Sequence, residues 1–148
     1  MARVSWRGDI RKMAMRIENL PDEMMDMAEE VMEDTVEDGA DLMRHYIKTR
    51  ATDKVRNGIP PRDGRTKSWD MHDAVETNVK RNRRSIVGKF GWGVAGGPDE
   101  DYFSYQENGF RHWRSGKDVV PMHALLDAFI QNREQFFARM RSEMRSRR

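Results

Sequence analysis

Between residues 21 and 43 the chain carries ten acidic side chains and no basic one, and the same stretch holds its clearest apolar period. Met24, Ala28, Val31, Met32, Thr35, Val36, Ala40, Met43 and Ile47 recur at steps of three and four, which marks one face of a helix. The spacing predicts a helix from about 21 to 49, roughly 40 Å long at 1.5 Å per residue. Pro21 suits its first turn, and Asp22 and Glu23 sit where the helix dipole favours negative charge. Arg44, Lys48 and Arg50 lie toward the other end, again as the dipole prefers. Gly39 inside such a helix costs about 1 kcal/mol relative to alanine, so it marks a kink or a close contact with another backbone.

A helix this acidic needs cations somewhere, and the rest of the chain holds them. Residues 1–20 have a net charge of +3, residues 44–92 of +8 and residues 122–148 of +3, against −10 for 21–43, and the whole chain comes to only +2. Segregation of this kind is satisfied by a solvated acidic face, by packing within one subunit, or by contact between copies. The candidate subunit interface is therefore Glu29, Glu30, Glu33 and Asp34 on the helix against Arg56, Arg62, Arg65 and Lys67 in the segment that follows. Of the twelve methionines, several fall on the buried stripe, while Met25 is placed off it and is a candidate for contact with another subunit.

At 148 residues one domain is expected, spanning 1–148. The order of elements reads helix, long helix, loop, strands, short helix, hairpin, helix. Ile10, Met13, Ala14 and Ile17 fall at helical spacing, which predicts a short helix over 5–18 ended by Asn19-Leu20-Pro21. Residues 50–68 read as a flexible loop: Asn57-Gly58, Pro60-Pro61 and Asp63-Gly64 are turn signals, and Lys54, Arg56, Arg62, Arg65 and Lys67 make it basic. The stretch from Ala74 to Val79 is a strand, or a short helix followed by one. Ser85 to Val94 alternates, with Ile86, Gly88, Phe90 and Trp92 on one face, and the basic run from Lys80 to Arg84 joins the two as a turn. Residues 102–110 hold four aromatics and read as a short helix stopped by Gly109. Arg111 to Val120 is a hairpin with Ser115-Gly116 at its tip. Pro121 opens a last helix whose stripe is Leu125, Ala128, Phe129, Phe136 and Met140, interrupted by Asn132. The basic end 139–148, with five arginines, is expected to fray. The fold class is α+β: a long N-terminal helix and a C-terminal helix packed on a small antiparallel β-sheet.

Chemistry is thin. With no cysteine there is no disulfide or thiolate metal site. No phosphate-binding Gly-rich loop, nucleophile elbow or paired-histidine zinc motif is present. His45 lies one turn after Asp41, a spacing that also fits a plain surface contact. His112, His123 and Glu107 match no known ligand spacing. Glu107, or Glu76 with Asp73, would serve as acid–base carboxylates only if burial separated their pKa values, and capping or surface roles are favoured. The expectation is no enzyme, with no catalytic, cofactor-binding or metal residues. Lys80, Arg81, Arg83, Arg84 and the arginine-rich end can neutralise phosphates, but no nucleic-acid-reading module accompanies them. Residues 1–20 lack an apolar core of signal-peptide length, and no window approaches the roughly 20 apolar residues that cross a bilayer.

Three segments carry a resemblance: Gly88-Lys89-Phe90-Gly91-Trp92, then Tyr102-Phe103-Ser104-Tyr105-Gln106-Glu107-Asn108-Gly109-Phe110, then Val119-Val120-Pro121-Met122-His123-Ala124-Leu125. In this order, after a long helix and a Pro/Gly loop, they resemble the tail-component family of long-tailed bacteriophages, the lambda-type tail-completion and neck proteins. The likeness covers about residues 20–140, and Tyr105-Gln106-Glu107-Asn108-Gly109-Phe110 is its most specific part. It implies a structural virion protein of the head–tail junction, assembled in the host bacterial cytoplasm as a ring, often sixfold. The implied partners are its own copies, the major tail protein and the head-completion or connector proteins, with DNA passing the lumen. Family members often have Gly-Thr after the glutamate where this chain has Asn108-Gly109-Phe110, which leaves tail completion, tail terminator and head–tail stopper open as positions. A nucleic-acid-binding protein is the alternative. Trp92, Tyr102, Tyr105, Gln106, Glu107, Gly109 and Phe110 form the family-like motif, with a mainly structural role: Tyr102, Tyr105 and Phe110 are expected to anchor it to the sheet, and Glu107 to bond backbone or arginine.

Overall fold

The computed structural model of the chain describes residues 2–5, 11–51, 70–111, 116, 118–119 and 121–146. Its elements run β1 (Ala2–Ser5), β2 (Lys12–Glu18), α1 (Asp22–Ala51), α2 (Asp70–Asp73), β3 (Val75–Arg81), β4 (Ser85–Trp92), α3 (Asp101–Asn108), β5 (Phe110–Arg111), β6 (Asp118–Val119) and α4 (Ala124–Ser146). Strands β1 to β4 form one antiparallel sheet in the order β1-β2-β4-β3, and β5 pairs with β6 as a separate hairpin. Helices α1 and α4 pack on each other and on one face of the sheet, so the expected α+β architecture is the observed one.

The register explains the layering. Met13 lies opposite Phe90, Met15 opposite Gly88 and Ile17 opposite Ile86, while Val75, Thr77 and Val79 lie opposite Trp92, Phe90 and Gly88. These positions share one face, because opposed residues on antiparallel strands project the same way. Met13, Met15, Ile17, Ile86, Phe90 and Trp92 are all buried beneath the helices. Gly88 lets α1 come close: a Cβ there would fall on the side chains of Met32 and Val36. Gly39 serves the same contact from the helix side. A Cβ at Gly39 would stand 2.8 Å from the Phe90 ring and 3.0 Å from the Asn132 side chain. The close neighbours of Gly39 are thus side chains, not another backbone.

Four expectations are corrected. Of the expected helix over 5–18, Ser5 ends β1 and residues 12–18 form β2 instead, while 6–10 lie outside the described residues. Ile10, Met13, Ala14 and Ile17 fit a helical period, but Met13, Met15 and Ile17 also fit a period of two. The sheet needs a strand beside β4, and burial of that second set wins. Met25 is not an outward group but is 3% exposed and part of the core. The last helix begins at Ala124 rather than Pro121, because residues 122 and 123 are tied to α3: the Met122 and His123 N–H groups donate to the Gln106 and Glu107 carbonyls. Finally, the basic end does not fray at 139. Helix α4 continues to Ser146, held in part by an Arg139–Asp38 ion pair across to α1, and only 147–148 lie outside the described residues.

Asn132, which breaks the apolar stripe in sequence, is 1% exposed and central. Its amide donates to the Thr35 carbonyl of α1 at 2.7 Å, while the Thr35 hydroxyl turns back to the Val31 carbonyl at 2.6 Å. One polar side chain thus ties the two long helices together. The expected loop 50–68 lies outside the described residues from 52 onward.

Candidate interaction surface and a buried carboxylate

Helix α1 presents its acidic residues on the side away from the core. The rims of this face are neutralised within the subunit. Arg81, at the end of β3, donates to Asp26 at 2.6 Å and Glu29 at 2.8 Å, and these two carboxylates, Asp26 first, raise the guanidinium pKa. Arg139 binds Asp38, Arg44 binds Asp41 at 3.0 Å, and Thr77 donates to Glu37 at 2.9 Å. Glu29, placed in the candidate interface by sequence, is therefore already engaged by its own subunit. Glu30, Glu33 and Asp34 are exposed and have no ion-pair partner among the described residues. Their expected partners Arg56, Arg62, Arg65 and Lys67 lie outside the described residues.

The sheet's second face is the other large polar surface. Lys12, Arg16, Asn78, Lys80, Val87 and Lys89 project from it, half-buried or exposed, because both long helices occupy the opposite face. Glu18 there is bound by Arg16 at 2.7 Å. Glu76 is turned into the Gly-rich turn after β4, where it accepts the Ala95 and Gly97 N–H groups at 3.1 Å each. Arg83 and Arg84 stand exposed at the β3–β4 turn.

The aromatic motif builds a junction between α3, α4 and the end of α1. Trp92 is fully buried and its indole N–H donates to the Met71 carbonyl at 2.8 Å. The anchor of α3 is Phe103, 0% exposed, with its ring 5.3 Å from Trp92. Tyr102 and Tyr105, expected as anchors, are 36% and 55% exposed, and Phe110 is half-buried against Tyr105. The physical reason is helical spacing. Phe103 and Glu107 are one turn apart and share the inward face, so Tyr102 and Tyr105 must point elsewhere. That spacing was the signal in the sequence for Phe103. Gly109 ends α3 at φ 76°, a conformation that suits glycine, and lets the chain turn into β5.

Glu107 is the buried carboxylate, 2% exposed. Its Oε1 accepts the Leu125 N–H at 2.6 Å, so a side chain on α3 caps the first turn of α4. Its Oε2 has no hydrogen-bond partner among the described residues. Burial pushes its pKa up to about 7, the Asp127 charge adds to this, and the Leu125 and Leu126 N–H groups and Arg50 oppose it. Arg50, near the end of α1, closes the same junction. It donates to the Met122 and His123 carbonyls at 2.8 and 3.0 Å and to Asp127 at 2.6 Å, and its guanidinium lies 4.1 Å from the Tyr46 ring centre. Tyr46 in turn accepts a hydrogen bond from Gln131 on α4. The arrangement is a clasp: a capping carboxylate and an arginine holding loop carbonyls, with the carboxylate sealed from solvent.

The remaining polar candidates fall apart spatially. Asp41 turns to Arg44, not His45. His72 contacts Asp73 at 2.9 Å on an exposed turn. Among the described residues no three His, Asp or Glu side chains converge as a metal site, and His112 lies outside them. No helix among them is long and apolar enough to cross a membrane. No protein-family model, curated protein or solved structure matches the chain.

Proposed function

We propose that the protein is a structural subunit of a phage head–tail junction, a ring-forming tail-completion or tail-terminator protein that joins the tail tube to the head connector. What carries the reading is the segment Tyr102 to Phe110. It resembles the phage tail-component family, and in the fold it works as a structural clasp: its glutamate caps the C-terminal helix and its phenylalanine locks onto Trp92. The large unneutralised charge on α1 suits a chain whose working state includes other subunits. A head–tail stopper at the same junction fits these features as well.

The test is direct binding. Purified protein is mixed with tail tubes assembled from a long-tailed phage's major tail protein and imaged in negative stain. Density capping one tube end is expected. A chain that ignores tube ends and is retained on DNA in a salt-dependent way supports the second reading, nucleic-acid binding through Lys80, Arg83, Arg84 and Lys89 on the open side of the sheet.

A further inference from the structure

We infer that copies of the chain associate head to tail, with the acidic face of α1 in one copy lying across the open face of the β-sheet in the next. The proposal deepens the ring reading and rests on it for closure of the assembly. It replaces the basic loop as the partner of α1 with a surface that the fold itself builds.

The helices cover one face of the sheet, so the outer side of α1 and the bare side of the sheet are separated by a helix diameter of about 10 Å plus the sheet itself. One outer surface is negative: Glu23, Glu30, Glu33 and Asp34 are exposed and lack partners among the described residues. The other is positive: Lys80 and Lys89 lie on the sheet's open face, with Arg83 and Arg84 at its end, and none of the four is paired among the described residues. The two carboxylates on that side, Glu18 and Glu76, are held by Arg16 and by backbone N–H groups and so offset little of this charge. Within one subunit the two surfaces cannot meet, because the core lies between them. Pairing of like surfaces in a two-fold dimer would set acid against acid or base against base. Only a heterologous contact brings the opposite charges together, and repetition of such a contact yields a ring or a filament.

The dimensions match. From Glu23 to Asp34 is about 16 Å along a helix, and from Arg84 to Lys89 is about 16 Å along a strand. The open sheet face carries no aromatic side chain among its described residues, so it lacks the stacking platform that single-stranded nucleic acid uses. An acidic helix of the same span is the better occupant. Each exposed pair is individually weak, so the contact depends on several acting together and weakens in salt, where the Debye length falls below about 8 Å.

The experiment measures particle mass by sedimentation velocity at 50 and 500 mM salt, for the wild type and two variants. One variant carries Glu30→Lys, Glu33→Lys and Asp34→Lys; the other carries Lys80→Glu and Lys89→Glu. Far-ultraviolet circular dichroism checks that each remains folded, and the neutral pair Lys80→Gln and Lys89→Gln replaces the second variant if it does not. Wild type is expected to assemble at low salt, with the association constant falling at least tenfold at high salt. Each variant alone should be monomeric, because the three lysines set base against base and the sheet substitutions leave that face without the net positive charge that α1 needs. Mixed in equal amounts they should associate again, since each retains the surface that the other needs. Variants that assemble like the wild type, or a mixture that stays monomeric, overturn the interface and leave the ring reading standing. A wild type that is monomeric at both salt concentrations overturns the interface, and overturns the ring reading too if it stays monomeric with the major tail protein present. Loss of DNA retention in the Lys80/Lys89 variant with assembly intact assigns the sheet face to nucleic acid and also overturns the interface.

Discussion

Replacing Glu107 by glutamine should stabilise the protein above neutral pH and flatten its pH dependence. The wild-type carboxylate is buried with one oxygen unpartnered, and its pKa is raised from 4.5 to about 7, chiefly by burial. The folded chain therefore holds a proton that the unfolded chain releases between these two values. The stability this contributes is fully present below about pH 4.5 and is lost as the pH rises through about 7. The size follows from the shift: on the order of 3 kcal/mol between the two ends of the window. Glutamine keeps the volume and an oxygen able to accept the Leu125 N–H, but it never ionises. At pH 5 the two proteins should differ by less than about 1 kcal/mol, since both side chains are then largely neutral. At pH 8 the variant should be more stable by about 2 to 3 kcal/mol. Urea denaturation at pH 5, 6, 7 and 8, followed by circular dichroism, reads both. The difference between wild type and variant at each pH is the quantity to use. A variant less stable than the wild type at pH 8, or a difference that does not change with pH, would show that Glu107 is ionised and well satisfied in the fold.

Three further substitutions probe the packing, each read by urea denaturation. Trp92→Ala should cost about 3–5 kcal/mol, because the ring is fully buried and its N–H leaves the Met71 carbonyl unmet; a loss below about 1 kcal/mol would place the ring outside the core. Gly88→Ala should cost about 1–3 kcal/mol, since the added methyl would meet Met32 and Val36 where α1 crosses β4; no loss would mean that the helix sits farther from the sheet. Asn132→Ala removes the bond to the Thr35 carbonyl and should cost about 1–3 kcal/mol; an unchanged midpoint would show that the two helices do not need this tie.

Much of the fold was legible in the residues, for identifiable reasons. Helix α1 announced itself because its apolar period runs on for seven turns and its charges follow the dipole. Strand β4 was legible because Ile86, Gly88, Phe90 and Trp92 alternate without interruption, and α3 because Gly109 closes it. Strand β2 was not. Seven residues with apolar groups at 13, 14, 15 and 17 satisfy both periods, and only the neighbouring β4 decides between them. The end of α4 was hidden for a related reason: it gains stability from α1 through Arg139 and Asp38, a contact that no local pattern contains.

The candidate surfaces were half legible. Charge counting found the acidic face of α1 but could not show that Arg81 removes Asp26 and Glu29 from it. Nor could it show that the strands carry Lys80 and Lys89 to the opposite side of the molecule. That placement follows from sheet register, which is a long-range property. In the aromatic segment the capping role of Glu107 was within reach of sequence. The anchor was legible only in the one-turn spacing of Phe103 and Glu107, because three aromatics within residues 102–105 point to several faces of a helix.

The proposed role requires the chain to assemble as a ring of copies. Light scattering with negative-stain imaging of the purified protein at low salt reads this out. Closed rings of several copies, most simply six, with a central opening are the expected result. A single mass of 17.4 kDa at every concentration, with and without the major tail protein, would contradict it.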